Sequence, residues 1–406
     1  LLGILAPLSA QEAPLLPLQE AVTLALANND ELKTLVYEKE ISANNVNPAL
    51  AGKRPSIDFS GSLYYGYADG RAQTAGLGEP GQPNPPIELS GVKHGVSFGP
   101  EASWVVFDGG RGNNILESLR LLDQATALRI EAAREGVVAQ VTNLYLRASQ
   151  LAVQLDLDAA NLDLTQERLA RTERDERYGT SNSLRRLQAR VDLSTDSITY
   201  RNTALALANA KRDLNLVMGR EATVAFAVQR PRHPRPRPLN VDSLQTELLA
   251  HNENLAQARQ RIAQTETEVK SVDLSNAVTV QAYVRGSYVN TTDNSNFLQE
   301  NRNFGPEAGF RINKNIYDGG RRRIEAQNAR IRVEQSLHEV EAIRRELLTR
   351  LRQAVADYDN NRAQLAAAIG NLPTFELNYE KTLTDFRLGQ VDGTAVRTAQ
   401  TNLAAA

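Results

Sequence analysis

The chain has 406 residues, of which 23% are charged, and its mean hydropathy is −0.40. No run of 18 apolar residues follows the first ten, which excludes a bundle of membrane-spanning helices, and the net charge of −2 gives no reason to expect nucleic acid as a partner. Cysteine is absent, which excludes disulfides, thiolate metal sites, cysteine nucleophiles and a lipidated N-terminal cysteine.

The first residues, Leu1–Ala10, are apolar and end in small residues. This pattern is typical of the end of a secretory signal, so we expect a signal peptide remnant at 1–10 and an exported protein. The alternative is a buried N-terminal segment.

Residues 17–217 are expected to form a first structural repeat that contains helices, two strands and a long helix hairpin. Apolar and polar residues alternate in the predicted strands, 55–67 and 93–107. The stretch from Ala68 to Pro86 between them is rich in glycine and proline, which predicts a long loop.

Each predicted strand has one apolar and one polar face. In the first strand the apolar face contains Ile57, Phe59, Leu63, Tyr65 and Tyr67. The polar face of the second strand includes a full charge, Glu101. Such strands are typical of a barrel with lipid outside and water inside. A soluble β-sandwich would need a second sheet over the apolar face, and the sequence supplies none.

The motif Asp108-Gly109-Gly110 joins the second strand to the helix that follows. An aspartate at this position can accept hydrogen bonds from the free N–H groups of the helix start, and glycine permits a sharp redirection of the backbone. The motif has neither P-loop nor dinucleotide-binding spacing. We therefore interpret it as a structural hinge.

The helix hairpin at 111–217 begins with a stretch from Arg111 to Arg177 that contains no proline. A helix of this length would measure roughly 100 Å at about 1.5 Å per residue. Apolar residues recur in it every seven positions: Val141, Ala148, Leu155, Leu162 and Leu169. Heptads predict coiled-coil packing. A lone rod-like coiled coil is the alternative, and the attached strands argue against it.

A connector rich in proline and arginine covers 218–239. Its arginines could form a binding patch, but a solvated linker is the preferred interpretation.

Residues 240–406 are expected to form a second structural repeat, with strands at 278–290 and 303–317 and a helix hairpin at 321–406. Its loop near Thr291 to Asn301 is shorter than the first, and Pro373 is expected to interrupt the long helix and to kink it. Glu307 lies on the polar face of the last strand, and the second hinge consists of Asp318, Gly319 and Gly320. The second hairpin is shorter than the first, and the signal at 1–10 lacks its charged start, so we expect the chain to be truncated at both ends.

The duplication follows from segments that recur in the same order. The hinge recurs 210 residues later, as does the glycine at 179, which returns as Gly389. The opening Leu26–Leu32 recurs 223 residues later as Leu249–Leu255. Each repeat supplies two strands, and four strands are too few to close a barrel. The sequence therefore predicts self-assembly into a symmetric ring.

The duplicated hinge and the duplicated glycine followed by an Ala/Gln-rich helix resemble the TolC family of outer-membrane factors, over almost the whole chain. The resemblance implies a mixed α and β fold: a homotrimeric transmembrane β-barrel with four strands per chain, continued by a periplasmic α-helical coiled-coil barrel. It places the connector in the equatorial region. It also implies docking to a periplasmic adaptor and to an inner-membrane RND pump or ABC exporter, with passive export of drugs or proteins.

Family members carry a glycine-centred motif at the helix tips, which the adaptor contacts. The matching positions here are Tyr178, Gly179, Thr180, Leu388, Gly389 and Gln390. Well-studied members narrow the periplasmic entrance with acidic residues six positions after the tip glycine, but this chain has Arg185 and Ala395 there. The candidate gate therefore consists of Arg185, Arg186, Asp392 and Arg397. Glu101 and Glu307 are the candidate lumen residues.

The alternatives to a channel are an enzyme and a non-conducting scaffold or adhesin. Four scattered histidines, His94, His233, His251 and His338, lack metal-ligand spacing, so no catalytic site, metal or cofactor is expected. A non-conducting periplasmic coiled-coil scaffold or adhesin is the main competitor. It would extract without detergent and conduct no ions.

Overall fold

The computed structural model describes residues 14–72, 87–178, 183–229, 236–294 and 300–405. The proposed signal remnant at 1–10 lies outside these residues. The described chain is mostly helical and also contains two sheets. In chain order its elements are β1 (Leu15–Leu16), α1 (Leu18–Asn28), α2 (Asp30–Asn45), β2 (Ser56–Ala72), β3 (Ile87–Phe107), α3 (Arg111–Arg177), α4 (Ser183–Val217), β4 (Ala227–Val228), α5 (Val241–His251), α6 (Glu253–Leu274), β5 (Thr279–Asp293), β6 (Glu300–Asn313), α7 (Arg321–Arg387) and α8 (Gly393–Ala405).

The chain divides into two compact units. Among the described residues, one unit contains those within 14–38, 127–257 and 341–405, and the other contains those within 39–126 and 258–340. Each unit takes segments from both sequence repeats, because the boundaries fall inside the helices α2, α3, α6 and α7.

The first unit has an apolar core built from α1, α2, α3 and α4 together with the small sheet of β1 and β4. Tyr145 ties this sheet to α3, since its hydroxyl donates to Leu16 O at 2.7 Å and accepts from Gln229 N at 2.9 Å. The chain's single methionine, Met218, is fully buried here. The buried residues of this core are Leu16, Ala21, Ala25, Leu32, Val137, Val141, Tyr145, Leu214, Val217, Met218 and Phe226.

The second unit contains one antiparallel sheet with the strand order β2-β3-β5-β6. At the ends next to the two loops, its strands extend further than the alternation of apolar and polar residues predicts. Ala68–Ala72 belong to β2 rather than to the loop, because they pair in unbroken register with Ile87–Gly91. The backbone ladder continues here although the residues around Asp69 no longer alternate. The second loop is likewise shortened, since β5 reaches Asp293 and β6 begins at Glu300.

The last predicted strand was too long at its other end. It was expected to reach residue 317, but β6 ends at Asn313. The reason is that β5 begins at Thr279, opposite Asn313, so that 314–317 have no strand beside them in the described chain.

The helix α7 runs through Pro373, so the expected interruption at this residue was wrong, whereas the expected kink stays a prediction. Proline removes one N–H donor from the helix interior. The carbonyl that loses this bond belongs to Ile369, four residues earlier, and both Ile369 and Pro373 are exposed, so water can bind the carbonyl.

Candidate channel wall and helix ends

The four-stranded sheet has two chemically different faces. On the apolar face, Phe98 lies opposite Tyr288 with ring centroids 5.1 Å apart, and Tyr288 lies opposite Phe304. Large apolar side chains on this face are exposed; Ile57, Leu63 and Phe304 are 79%, 82% and 76% exposed. Exposed apolar area of this kind marks a surface that contacts a partner or lipid.

The opposite face carries a row of charges that crosses all four strands. In the strand register Asp58 lies opposite Glu101, Glu101 lies opposite Arg285, and Arg285 lies opposite Glu307. Arg285 donates to the Glu307 carboxylate from Nε at 2.9 Å and from Nη2 at 2.5 Å. The Tyr283 hydroxyl donates to the same carboxylate at 2.8 Å. The proposed lumen residues Glu101 and Glu307 therefore lie in one row, with three carboxylates to one guanidinium.

Both hinges have the geometry of a helix N-terminal cap. The Asp108 carboxylate accepts from Gly110 N at 2.9 Å and from Gly112 N at 2.5 Å. The Asp318 carboxylate accepts from Gly320 N at 3.0 Å and from Arg322 N at 3.1 Å. Gly109, Gly110, Gly319 and Gly320 all have φ between 66° and 94°, a region that disfavours side chains. The hydrogen bond from Arg322 N lowers the pKa of Asp318.

Buried polar side chains join α3, α4 and α8 within the first unit. The Asp196 carboxylate accepts from Thr165 Oγ1 at 2.5 Å and forms a two-bond ion pair with Arg397, at 2.8 and 2.6 Å. Arg168 pairs with Asp192 and donates to Gly393 O at 3.1 Å. Burial lowers the pKa of Arg168, and the nearby Arg397 lowers it further. We call these six residues the polar cluster: Thr165, Arg168, Asp192, Asp196, Gly393 and Arg397.

The polar cluster was largely missed by the heptad analysis. Val141 and Ala148 are fully buried, as a coiled-coil track requires, but Leu155 is only partly buried. Further along α3, towards its C-terminus, the buried positions are polar: Asp158 and Thr165. These two residues are seven positions apart, and that spacing indicates only that polar residues replace apolar ones on this face of α3.

The residues expected at the helix tips are exposed where the structure describes them. Tyr178 is 83% and Leu388 is 68% exposed, whereas Gly179 and Thr180 lie outside the described residues. Gly389 has φ +82°, and Gln390 N donates to Asp385 O at 2.8 Å, which ends α7. The ends of α3 and α7 are adjacent, since Arg171 donates to Arg387 O at 3.1 Å.

The candidate gate residues contact partners within the chain. Arg186 pairs with Glu176 at 2.9 Å, and Arg397 belongs to the polar cluster. Asp392 accepts hydrogen bonds from Thr394 N and Ala395 N at 3.1 and 3.0 Å, so it caps α8. Arg185 lies exposed in the first turn of α4.

The described residues offer neither a metal site nor a helix that could span a membrane. They contain no group of three histidine, aspartate or glutamate side chains arranged to hold a metal ion. No described helix has both the length and the apolarity that crossing a bilayer requires.

The fold is shared with solved outer-membrane proteins. The outer-membrane channel OprN superposes with a TM-score of 0.72 at 17% identity, covering 96% of this chain and 84% of that one. The CmeC outer membrane channel of Campylobacter jejuni gives 0.71 at 15% identity, over 96% and 80%. VceC of Vibrio cholerae, an outer membrane protein, gives 0.71 at 14% identity, over 96% and 90%. No curated protein sequence matches the chain significantly.

A family model described as outer membrane efflux protein matches residues 21–220, which hold both strands and the helix hairpin of the first repeat. The chain belongs to the outer membrane efflux protein family. Outer membrane efflux proteins are transport proteins. The unmatched second half of this one carries the same hinge as the matched half, with the same capping hydrogen bonds.

Proposed function

We propose that this chain is one subunit of a homotrimeric outer-membrane channel that serves as the exit duct of a tripartite efflux pump or a type I secretion system. Transport through it is passive, because the inner-membrane partner supplies the energy. The barrel lies in the outer membrane, and the helices extend into the periplasm.

One observation carries the proposal: a four-stranded sheet with an exposed apolar face, a charged opposite face and two edges that have no partner in the described chain. Lipid against the apolar face and water against the charged face satisfy both surfaces. Edge strands in lipid would leave backbone groups unbonded, so the edges of β2 and β6 have to pair. Three copies supply twelve strands, enough to close a barrel around water.

The helix ends are the proposed docking site for a periplasmic adaptor, which in turn connects the channel to an RND pump or an ABC exporter. The proposed contact residues are Tyr178, Gly179, Thr180, Leu388, Gly389 and Gln390. The exposure of Tyr178 and Leu388 supports this role, because exposed apolar side chains at a helix turn offer contact area to a partner. Replacing Gly179 and Gly389 together should abolish export.

Arg185, Arg186, Asp392 and Arg397 are proposed to narrow the periplasmic entrance. Replacing Arg185 and Asp392 together should change the single-channel conductance. An unchanged conductance would remove these two residues from the gate.

The decisive experiment is reconstitution of the purified full-length protein in a planar lipid bilayer. A channel of this kind requires detergent for extraction, has the mass of three chains and gives stepwise ionic currents. A monomer that is soluble without detergent and gives no current would instead support the alternative, a non-conducting periplasmic scaffold or adhesin.

A further inference from the structure

The two β-hairpins of the chain have the same register. The first strands, β2 and β5, are related by the offset of 223 residues, and the second strands, β3 and β6, by the offset of 210. Applied to the pair Ser56–Ser103, these offsets give Thr279–Asn313, which is an observed pair. Applied to Asp58–Glu101, they give Gln281–Arg311, which is also observed. The sequence repeat is therefore a repeat of backbone pairing.

The contact between the two hairpins of one chain can therefore serve as a template for a contact between hairpins of two chains. In it β3, the second strand of one hairpin, pairs with β5, the first strand of the next, and Glu101 lies opposite Arg285. Within the described chain, β6 pairs only with β5 and β2 pairs only with β3. Among the described residues, β6 is therefore a second strand that has no first strand of another hairpin beside it, and β2 is a first strand that has no second strand of another hairpin beside it.

We infer that β6 of one copy of this chain pairs with β2 of a second copy in the register of β3 with β5. The offsets then place Arg311 opposite Ser62 of the second copy and Phe310 opposite its Leu63. The pairing extends from Asn303 opposite Gly70 to Asn313 opposite Ser60. This inference rests on the proposed self-assembly and adds the register of its contact.

The chemistry of the two faces fits this register. Phe310 and Leu63 are both on the apolar face, at 72% and 82% exposure, whereas Arg311 and Ser62 are both on the polar face. A slip of one residue would move every side chain of one strand to the wrong face.

Side-chain sizes favour the same register over a slip of two residues, which would keep the faces. In the inferred register Ile312 lies opposite Gly61, so a bulky residue meets a glycine. A slip of two residues would set Ile312 opposite Leu63 or Phe59 instead, both of them bulky.

The two strand-to-helix hinges also differ in a way that supports this contact: within the described chain, the first hinge is covered by a neighbouring segment, and the second is not. At the first junction Gly109 is covered, since a Cβ there would lie 2.2 Å from the Cβ of Ala277. The equivalent Gly319 has nothing within 4 Å. Ile316 and Tyr317 are 95% and 84% exposed, whereas their counterparts Val106 and Phe107 are 50% and 54% exposed. By the offsets, Arg54 of the second copy takes the place of Ala277.

Disulfide crosslinking of the full-length chain tests the register, and the absence of native cysteine makes it direct. The matched variants are Arg311→Cys with Ser62→Cys on the polar face, and Phe310→Cys with Leu63→Cys on the apolar face. Directly opposed residues have Cα atoms about 4.5 or 5.5 Å apart, within disulfide reach on either face. The control, Arg311→Cys with Asp58→Cys, is displaced by four residues, or about 13 Å along the strand.

The protein is oxidised in outer-membrane vesicles and analysed on non-reducing gels. Both matched variants should give crosslinked dimers and trimers that a reductant converts to monomer, and the control should stay monomeric on the gel. Crosslinking of Arg311→Cys with Ser60→Cys or Tyr64→Cys in preference to Ser62→Cys would overturn the register while leaving self-assembly intact. A monomeric mass in mild detergent, together with no crosslink in any variant, would overturn self-assembly as well.

Discussion

Arg397 of α8 donates two hydrogen bonds to the Asp196 carboxylate of α4, and the Asp196 side chain is only 8% exposed. Replacing Arg397 by methionine leaves this carboxylate buried without its counter-ion. We expect Arg397→Met to lower the free energy of unfolding by about 2–3 kcal/mol, at or below the low end of the range for a broken buried pair, because Arg397 itself is 31% exposed. Chemical unfolding followed by the helical circular dichroism signal measures the loss.

A second variant and an exposed pair serve as controls for this effect. Adding Asp196→Asn to Arg397→Met removes the unpaired charge and should restore part of the stability. Glu346 and Arg350 form an exposed pair within α7, and Arg350→Met there should cost less than about 1 kcal/mol. An equal loss at both arginines would contradict the role assigned to the polar cluster.

The Asp123 carboxylate should make the stability of the second unit depend on pH. Lys39 Nζ donates to it at 2.5 Å and Ser42 Oγ at 2.8 Å, and the bond from Lys39 is the main reason that the pKa of Asp123 is below its ordinary 3.8. A lowered pKa stabilises the folded state above pH 3.8, and this contribution is lost as the pH falls through the folded-state pKa.

The variant Asp123→Asn should therefore unfold at a lower temperature than the wild type near neutral pH, and the difference should shrink as the pH falls below about 4. Thermal melts between neutral and acidic pH measure it. Glu117→Gln is the matched control within the same unit, because the Glu117 side chain is 53% exposed and its Oε2 lies 3.5 Å from Nη1 of Arg120. A difference that persisted unchanged in acid would show that the carboxylate charge is not involved.

The local features of this chain could be read from its sequence, because they depend on neighbours in the chain. Helix α3 covers the stretch without proline, and Asp108 caps it as capping chemistry predicts. Strand ends were harder, since β2 continues past Asp69 by backbone pairing that does not need alternation.

The polar cluster depends on residues that are far apart in the chain, so a single sequence could not reveal it. Thr165 lies 31 residues from Asp196, and Arg397 lies 201 residues from it. The polar residues Asp158 and Thr165 indicate only that the packing of α3 changes there from apolar to polar. The partners come from the tertiary fold.

The charged row of the sheet should make the proposed channel prefer cations. The row holds Asp58, Glu101 and Glu307 against Arg285, so each chain contributes net negative charge at this level, partly offset by Arg311, which lies 5.2 Å from the centroid of the Tyr283 ring. Rings of carboxylates favour cations in a pore. Glu101→Gln should shift the reversal potential in a salt gradient toward zero. Glu341→Gln, on α7 outside the sheet, should leave it unchanged, and an equal shift there would contradict the assignment.

The neighbouring residues Ser62 and Leu63 give a direct test of which face meets lipid. They are adjacent on β2 and point to opposite faces, and Leu63 is 82% exposed. Arginine on the lipid side of a transmembrane barrel costs about 2–4 kcal/mol near the bilayer centre, whereas lumen positions tolerate it. Leu63→Arg should therefore reduce assembly in the outer membrane strongly. Ser62→Arg faces water but sets a second arginine opposite Arg311 of the neighbouring copy in the inferred register, so it should cost no more than about 1 kcal/mol, weaken assembly only slightly and change the conductance. Equal sensitivity of the two positions would mean that the apolar face is covered by protein rather than by lipid.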